Sequence, residues 1–161
     1  MKVKHEHVVD APTEKVIAAY KDDAFYVAKL KNSGAITVEV LEREELPGGK
    51  LRRKARVSEP SRIPAFLRKS DVDTYIDDHV IDPVASVQTW KITPAVMADR
   101  FFLSGSVEFK KEGDKTRLVF NTELEVKIPL VGSKAETIGL SKTEEEVSRQ
   151  VEFVRKWMAE H

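Results

Sequence analysis

The chain has 161 residues, 41% of them hydrophobic and 34% charged, enough to bury one sizeable core, so a single domain spanning residues 1–161 is expected. Its 27 basic and 27 acidic side chains cancel, which leaves no overall field to draw nucleic acid, an anionic membrane or an acidic partner. There is no cysteine, which removes disulfides, thiolate nucleophiles and cysteine zinc sites together.

The opening residues, Met1 to His7, carry no apolar signal-like run, and no stretch nears the roughly 18–20 apolar residues of a membrane span; a cytoplasmic protein is expected. Residues 2–10 alternate as a first strand. Asp10-Ala11-Pro12-Thr13-Glu14 then signals a helix start, with Asp10 or Thr13 as cap and Val16, Ile17 and Tyr20 facing inward. A second short helix, residues 22–32, presents Phe25, Tyr26, Ala28 and Leu30 and stops at Asn32-Ser33-Gly34. Strands follow near 35–45, 50–58, 71–82, 85–93, 100–111 and 115–128, and turns at Pro47-Gly48-Gly49 and Glu112-Gly113-Asp114 make consecutive hairpins of an antiparallel meander. In the last strand Leu118, Phe120, Thr122, Leu124, Val126 and Ile128 face one way, while Arg117, Asn121, Glu123, Glu125 and Lys127 face the other. That apolar face needs a cover. A helix over residues 133–160 supplies it, opening on the capping-box pattern Ser133-Lys134-Ala135-Glu136, with Leu140, Val147, Val151, Val154 and Met158 on one face. It would span roughly 40 Å. Gly139, followed by a second capping box at Ser141-Lys142-Thr143-Glu144, predicts a kink or restart.

The run Val9-Asp10-Ala11-Pro12-Thr13-Glu14-Lys15-Val16 follows strand one, and Val126-Lys127-Ile128-Pro129-Leu130-Val131-Gly132 leads into a helix ending Val154-Arg155-Lys156-Trp157-Met158. With the Gly113 hairpin and the order of elements, these segments resemble the START-like, or helix-grip, superfamily, which also contains Bet v 1-type and polyketide cyclase (SRPBCC) proteins, and within it a bacterial branch. The resemblance covers nearly the whole chain. It implies an α+β fold in which an antiparallel sheet of six to seven strands wraps a long C-terminal helix, with two short helices after strand one. It also implies a cavity between sheet and helix for lipids, polyketides, hormones or other apolar molecules. Carriers, cyclases and chaperone regulators share this fold, so it does not choose among them.

A small-molecule cavity is mostly apolar with a few convergent polar groups. On the third strand Arg53 stands in the row Leu51, Arg53, Ala55, Val57, and on the fourth Thr74 and Asp78 stand in the row Val72, Thr74, Ile76, Asp78, Val80. A hairpin between them sets Arg53 about opposite Asp78, and their pairing would answer the several kcal/mol cost of burying a lone charge. Gln88 and Trp90 on the fifth strand, Thr122 on the last, and Val147 and Val151 on the terminal helix complete the inward set. Plainer readings stand beside these. Arg53 and Asp78 could form a partly solvated pair worth under about 1 kcal/mol, a register slip of one would turn both outward, and Gln88 and Thr122 could be satisfied core groups. His5 and His7 share a strand face with Val3 and Val9, but no third ligand is positioned, so no metal site is expected.

The stretch Lys50 to Lys69 is basic, and it contains the apolar loop Pro60-Ser61-Arg62-Ile63-Pro64-Ala65-Phe66-Leu67. As a lid, Ile63, Phe66 and Leu67 would cap the cavity mouth, while Arg62, Arg68 and Lys69 met an anionic ligand head or, transiently, a phospholipid surface. As an ordinary strand face, the run is balanced by Asp71, Asp73, Asp77, Asp78 and Asp82 on the next strand. Without interleaved aromatics, and beside that acidic strand, the patch predicts no nucleic-acid binding. No Gly-rich phosphate loop, Ser-His-Asp order, HExxH or nucleophile elbow is present, no cofactor is expected, and acid/base work would fall to Asp78, His79 or the two N-terminal histidines. The leading reading is a monomeric, non-enzymatic binding protein for a small apolar or amphipathic ligand, lipid-like or polyketide-like. A cyclase- or hydratase-like enzyme using the same cavity, and a protein-interaction module with a filled core, are the alternatives.

Overall fold

The computed structural model describes residues 1–63 and 65–161; Pro64, in the loop read above as a lid, lies outside the described residues. The elements run β1 (Lys2–Val9), α1 (Thr13–Lys21), α2 (Asp23–Asn32), β2 (Thr37–Leu46), β3 (Lys50–Pro60), β4 (Val72–Asp82), β5 (Val87–Pro94), β6 (Phe101–Glu112), β7 (Lys115–Val126), α3 (Gly132–Leu140) and α4 (Thr143–Glu160). All seven strands form one antiparallel sheet in the order β1-β7-β6-β5-β4-β3-β2. Six consecutive strands meander by hairpins, and β1 returns to pair with β7 from Lys2↔Glu123 to Val9↔Thr116. This is the α+β helix-grip arrangement expected from the sequence.

The helix starts differ from the sequence reading. Neither Asp10 nor Thr13 caps α1: Pro12 holds the cap position, and Thr13 is the first helical residue. Its hydroxyl lies 3.1 Å from the Thr116 hydroxyl, which donates to the Ala11 carbonyl at 2.8 Å, so the helix start is tied to β7 rather than capped by its own side chain. On α2, Asp22 does cap, accepting from the Ala24 amide at 2.9 Å.

The C-terminal cover over residues 133–160 is bent after Gly139, where the sequence pointed to a kink or restart, and divides into α3 and α4. Ser133 does not cap α3; Glu136 accepts instead from the Val126 amide at 3.2 Å, clamping α3 to the end of β7. Ser141 donates to the Ile138 carbonyl at 2.7 Å, so it closes α3 rather than capping α4. Between them Gly139 presses on the sheet: a Cβ there would lie 2.7 Å from Leu124 Cδ2, closer than a side chain tolerates. The chain redirects at Ser141-Lys142, and α4 runs on for 18 residues, about 27 Å. Glu144, Glu145 and Glu146 in its first turn suit the positive end of the helix.

Three packed clusters divide the interior. The largest joins α1, α2, β6, β7 and α4 through Val16, Phe25, Leu118, Val151 and Val154. A second, under α3, holds Leu124, Val126, Ala135 and Leu140. The third sets Tyr26 of α2 against Ala55 and Val57 of β3. Burial of each large apolar side chain contributes roughly 1.5–3 kcal/mol. Among the described residues, no helix is long and apolar enough to cross a membrane.

Candidate functional site

A pocket of about 310 Å³ lies between the three clusters, floored by the sheet and roofed by α3 and α4. Its walls are mostly apolar: Trp90 and Ile92 of β5, Leu103 of β6, Phe120 and Leu124 of β7, Leu140 and Val147 of the helices. Gly105 on β6 makes the Trp90 wall possible. A Cβ there would fall 2.5 Å from the indole ring and 2.1 Å from the Asn121 carbonyl, so only a glycine lets the ring lie across that strand. A wider depression of about 490 Å³ over residues 126–136 is open to solvent, and one turn of chain supplies its lining.

Five of the residues singled out from sequence line the pocket: Gln88, Trp90, Thr122, Ile63 and Val147. The other five lie outside it. Arg53 is fully buried but sits beyond the pocket's end, and its partner is not Asp78. The β3–β4 register pairs Arg53 with His79 and Lys54 with Asp78, so Asp78 points to the opposite face, where Arg52 binds it at 2.8 and 3.1 Å. This Arg52 hydrogen bond holds the Asp78 carboxyl below the usual range. Val151 is fully buried in the main cluster. Leu67 packs behind the wall on the cluster under α3. Phe66 is 49% exposed, its ring met by Lys134 Nζ at 5.2 Å.

The inward row of β4 is instead Tyr75, Asp77, His79 and Ile81, and it carries a buried polar chain. Tyr26 donates to Asp77 Oδ2 at 2.6 Å, and Asp77 Oδ1 lies 3.1 Å from His79 Nδ1. His79 Nε2 lies 2.9 Å from Arg53 Nη1. A guanidinium can only donate, so Nε2 accepts and the ring hydrogen stands on Nδ1, facing Asp77. Arg53 donates onward to the Lys21 carbonyl at 2.8 Å, the Tyr20 carbonyl at 3.3 Å and Asp23 Oδ1 at 2.8 Å. The chain thus runs from the pocket wall to the α1–α2 corner with each member satisfied. Burial and the adjoining Asp77 carboxylate push the Tyr26 phenol well above its ordinary value.

At the mouth, Arg62 bridges β3 to α4. Its Nε binds Glu59 at 2.9 Å and its Nη1 pairs with Glu146. Burial raises the Glu59 carboxyl above the usual range, and Tyr75 donates to it at 3.4 Å. On α2, Lys29 faces the pocket three residues after Tyr26 and is only 8% exposed. Burial lowers its amine to about 8. Four carboxylates (Glu59, Asp73, Asp77, Glu146) and two cations (Lys29, Arg62) line the pocket.

Sequence reasoning missed Asp77, Tyr26 and Lys29 as a group. The signal was present on α2, where Lys29 falls on the stripe of Phe25 and Tyr26, four and three residues back. Of the histidine pair, His5 and His7 lie partly buried on β1, opposite Phe120 and Leu118. Among the described residues, no group of three His, Cys, Asp or Glu is arranged to hold a metal ion.

The sequence matches, over residues 4–158, the family model described as "Protein of unknown function (DUF2505)". No curated protein matches it. Solved structures do. The ZhuI aromatase/cyclase from Streptomyces sp. R1128 superposes with a TM-score of 0.72 at 16% identity, covering 99% of this chain and 93% of that one. The protein TTHA0849 from Thermus thermophilus gives 0.70 at 19% identity, with 99% and 97% covered. A START superfamily protein from Mycobacterium smegmatis gives 0.63 at 18% identity, with 98% of both chains covered. At these identities the likeness is one of fold.

Proposed function

This chain belongs to the family described as protein of unknown function (DUF2505), its fold is the START-like helix grip, and from that premise we propose that it binds a small, mostly apolar molecule in the pocket beneath α3 and α4. The observation that carries the reading is the pocket itself: about 310 Å³, at the lower end of small-molecule sites, apolar along its walls and polar at its ends. A protein-interaction module would have little use for such a space. The likeness in fold to an aromatase/cyclase supports a polyketide-like ligand over a long-chain lipid, and the modest volume favours the same choice.

Ligand charge follows from the lining. The four carboxylates outnumber the two cations, and a ligand carboxylate brought within about 4 Å of one of them meets roughly 4 kcal/mol of repulsion at an effective dielectric of 20. Arg53, which would have welcomed an anionic head, does not reach the pocket. The lining therefore disfavours an anion, and a neutral molecule fits it, with a hydroxyl group donating to Asp77 and hydroxyl or carbonyl groups meeting Gln88 and Thr122.

A cyclase- or hydratase-like enzyme is the second reading, and one observation favours it: Asp77 holds the Tyr26 phenol at the pocket wall, within a chain that fixes both. Calorimetric titration with 1-decanol and with decanoate tests the binding reading. The alcohol binds and the carboxylate binds at least tenfold more weakly; no heat from either, or tighter binding of decanoate, refutes it. Turnover of a neutral polyketide-like probe that is lost in Asp77→Asn while binding persists would favour the enzyme.

A further inference from the structure

We infer that Lys29 captures carbonyl ligands: its amine condenses reversibly with the aldehyde or ketone of a molecule held in the pocket and fixes it there as an imine. This deepens the binding reading and rests on it. Three observations carry it. Lys29 lines the pocket yet is 8% exposed, which makes it the most deeply buried cationic side chain there. A buried ammonium is ordinarily paired with a carboxylate, but among the described residues Lys29 Nζ has no ion pair or hydrogen bond; its near neighbours are the rings of Tyr20 at 4.6 Å and Phe25 at 5.8 Å. Beside it, the buried Tyr20 hydroxyl has no partner among the described residues.

The rings favour the charged amine, and so does the Asp77 carboxylate on β4. Burial and the Arg53 guanidinium on β3 act against it and outweigh them, bringing the amine from 10.5 to about 8. At pH 7 the free base is then roughly 300-fold more populated than on an exposed lysine. A desolvated free amine in an apolar pocket is the form of lysine that attacks carbonyls. Its lone pair adds to the carbonyl carbon, forming the C–N bond; both amine hydrogens pass to the carbonyl oxygen, which leaves as water as the C=N bond forms. Amine and carbonyl become imine and water, with no change of oxidation state. The carboxylate-rich lining, which disfavours an anion, has no quarrel with a neutral ketone or aldehyde.

The test is reductive trapping of the wild-type protein at pH 7.5 with 2-naphthaldehyde and cyanoborohydride, read by peptide mapping. Calorimetry with 2-naphthylmethanol, which keeps the ring system and cannot form an imine, runs beside it. Allowing for its weaker basicity, Lys29 should acquire the naphthylmethyl mark roughly tenfold faster than exposed Lys31 on the same helix, and the alcohol should slow only Lys29. Lys29→Met should lose the fast adduct while the remaining lysines are marked at their wild-type rates. If the alcohol binds but Lys29 is marked no faster than Lys31, imine capture falls and the binding reading stands. If the alcohol does not bind and Lys29 is not preferred, both fall.

Discussion

Replacing Arg53 by methionine removes the donor that the α1–α2 corner is built around. The Tyr20 and Lys21 carbonyls and His79 Nε2 lose their partner in one step, and Met cannot supply another. Each buried polar group left unsatisfied costs about 1–3 kcal/mol. The contribution of Asp23 is discounted, because its side chain is 40% exposed and can turn to water. The apolar replacement recovers part of the packing, which leaves a net loss of roughly 3–5 kcal/mol, as for other broken buried pairs. In a chain of this size 1 kcal/mol corresponds to about 2–4 °C, so Tm should fall by roughly 10 °C. Asp78→Asn is the matched control, since its bond to Arg52 lies on the outer face between side chains 34% and 40% exposed and should cost under about 1 kcal/mol. Urea melts followed by tryptophan fluorescence read both. Equal losses in the two variants, or an Arg53→Met loss below about 1 kcal/mol, would show that the β3–β4 face assignment is wrong.

Lys29→Met should stabilise the protein by about 3 kcal/mol at pH 7. The folded amine titrates near 8 and the unfolded one near 10.5, so the unfolded state binds more protons between those values. Wild-type stability therefore rises through that window, and the advantage of the variant should vanish by about pH 10.5; chemical melts across that range that run parallel would refute the burial argument. Val151→Asp and Val154→Asp should unfold the domain by circular dichroism, because an unpaired carboxylate there has no partner, whereas exposed Glu144→Ala and Glu145→Ala should shift Tm by no more than a degree or two. Arg62→Ala releases the bridge between Glu59 and Glu146 and should speed probe dissociation several-fold in stopped-flow fluorescence with little change in Tm; an unchanged rate would mean the mouth lies elsewhere.

Much of the architecture was legible because its signals are local. Leu118 to Val126 alternates with period two, Gly48, Gly49 and Gly113 mark hairpins, and the α4 face repeats at Val147, Val151 and Val154. The site was only half legible, and β4 shows why. Its outward row, Val72, Thr74, Ile76, Asp78 and Val80, is the more apolar of the two, so hydropathy alone turns the strand over. The row that faces inward contains Asp77 and His79, whose burial is tolerated because Tyr26 and Arg53, 51 and 26 residues away, complete their hydrogen bonds. No window along the chain contains that compensation. The helix caps failed for a similar reason: Ser133, Ser141 and Thr13 fit the local pattern, but Glu136 is drawn to Val126, Ser141 to Ile138 and Thr13 to Thr116. Lys29 is hidden in the sequence because a lysine on a short helix reads as solvent-facing, and only its packing against Tyr20 and Phe25 buries it.

The central claim is that a neutral apolar molecule occupies the space beneath α3 and α4, and methyl NMR of the 13C-labelled protein titrated with 1-decanol tests it most directly. Shifts at the pocket-lining methyls, Ile92, Leu103, Leu124, Leu140 and Val147 among them, with Val16, Leu118 and Val154 of the packed cluster unmoved, are the expected result. No shift at saturating alcohol, or shifts limited to Ile128 and Leu130 at the open depression over residues 126–136, would contradict it.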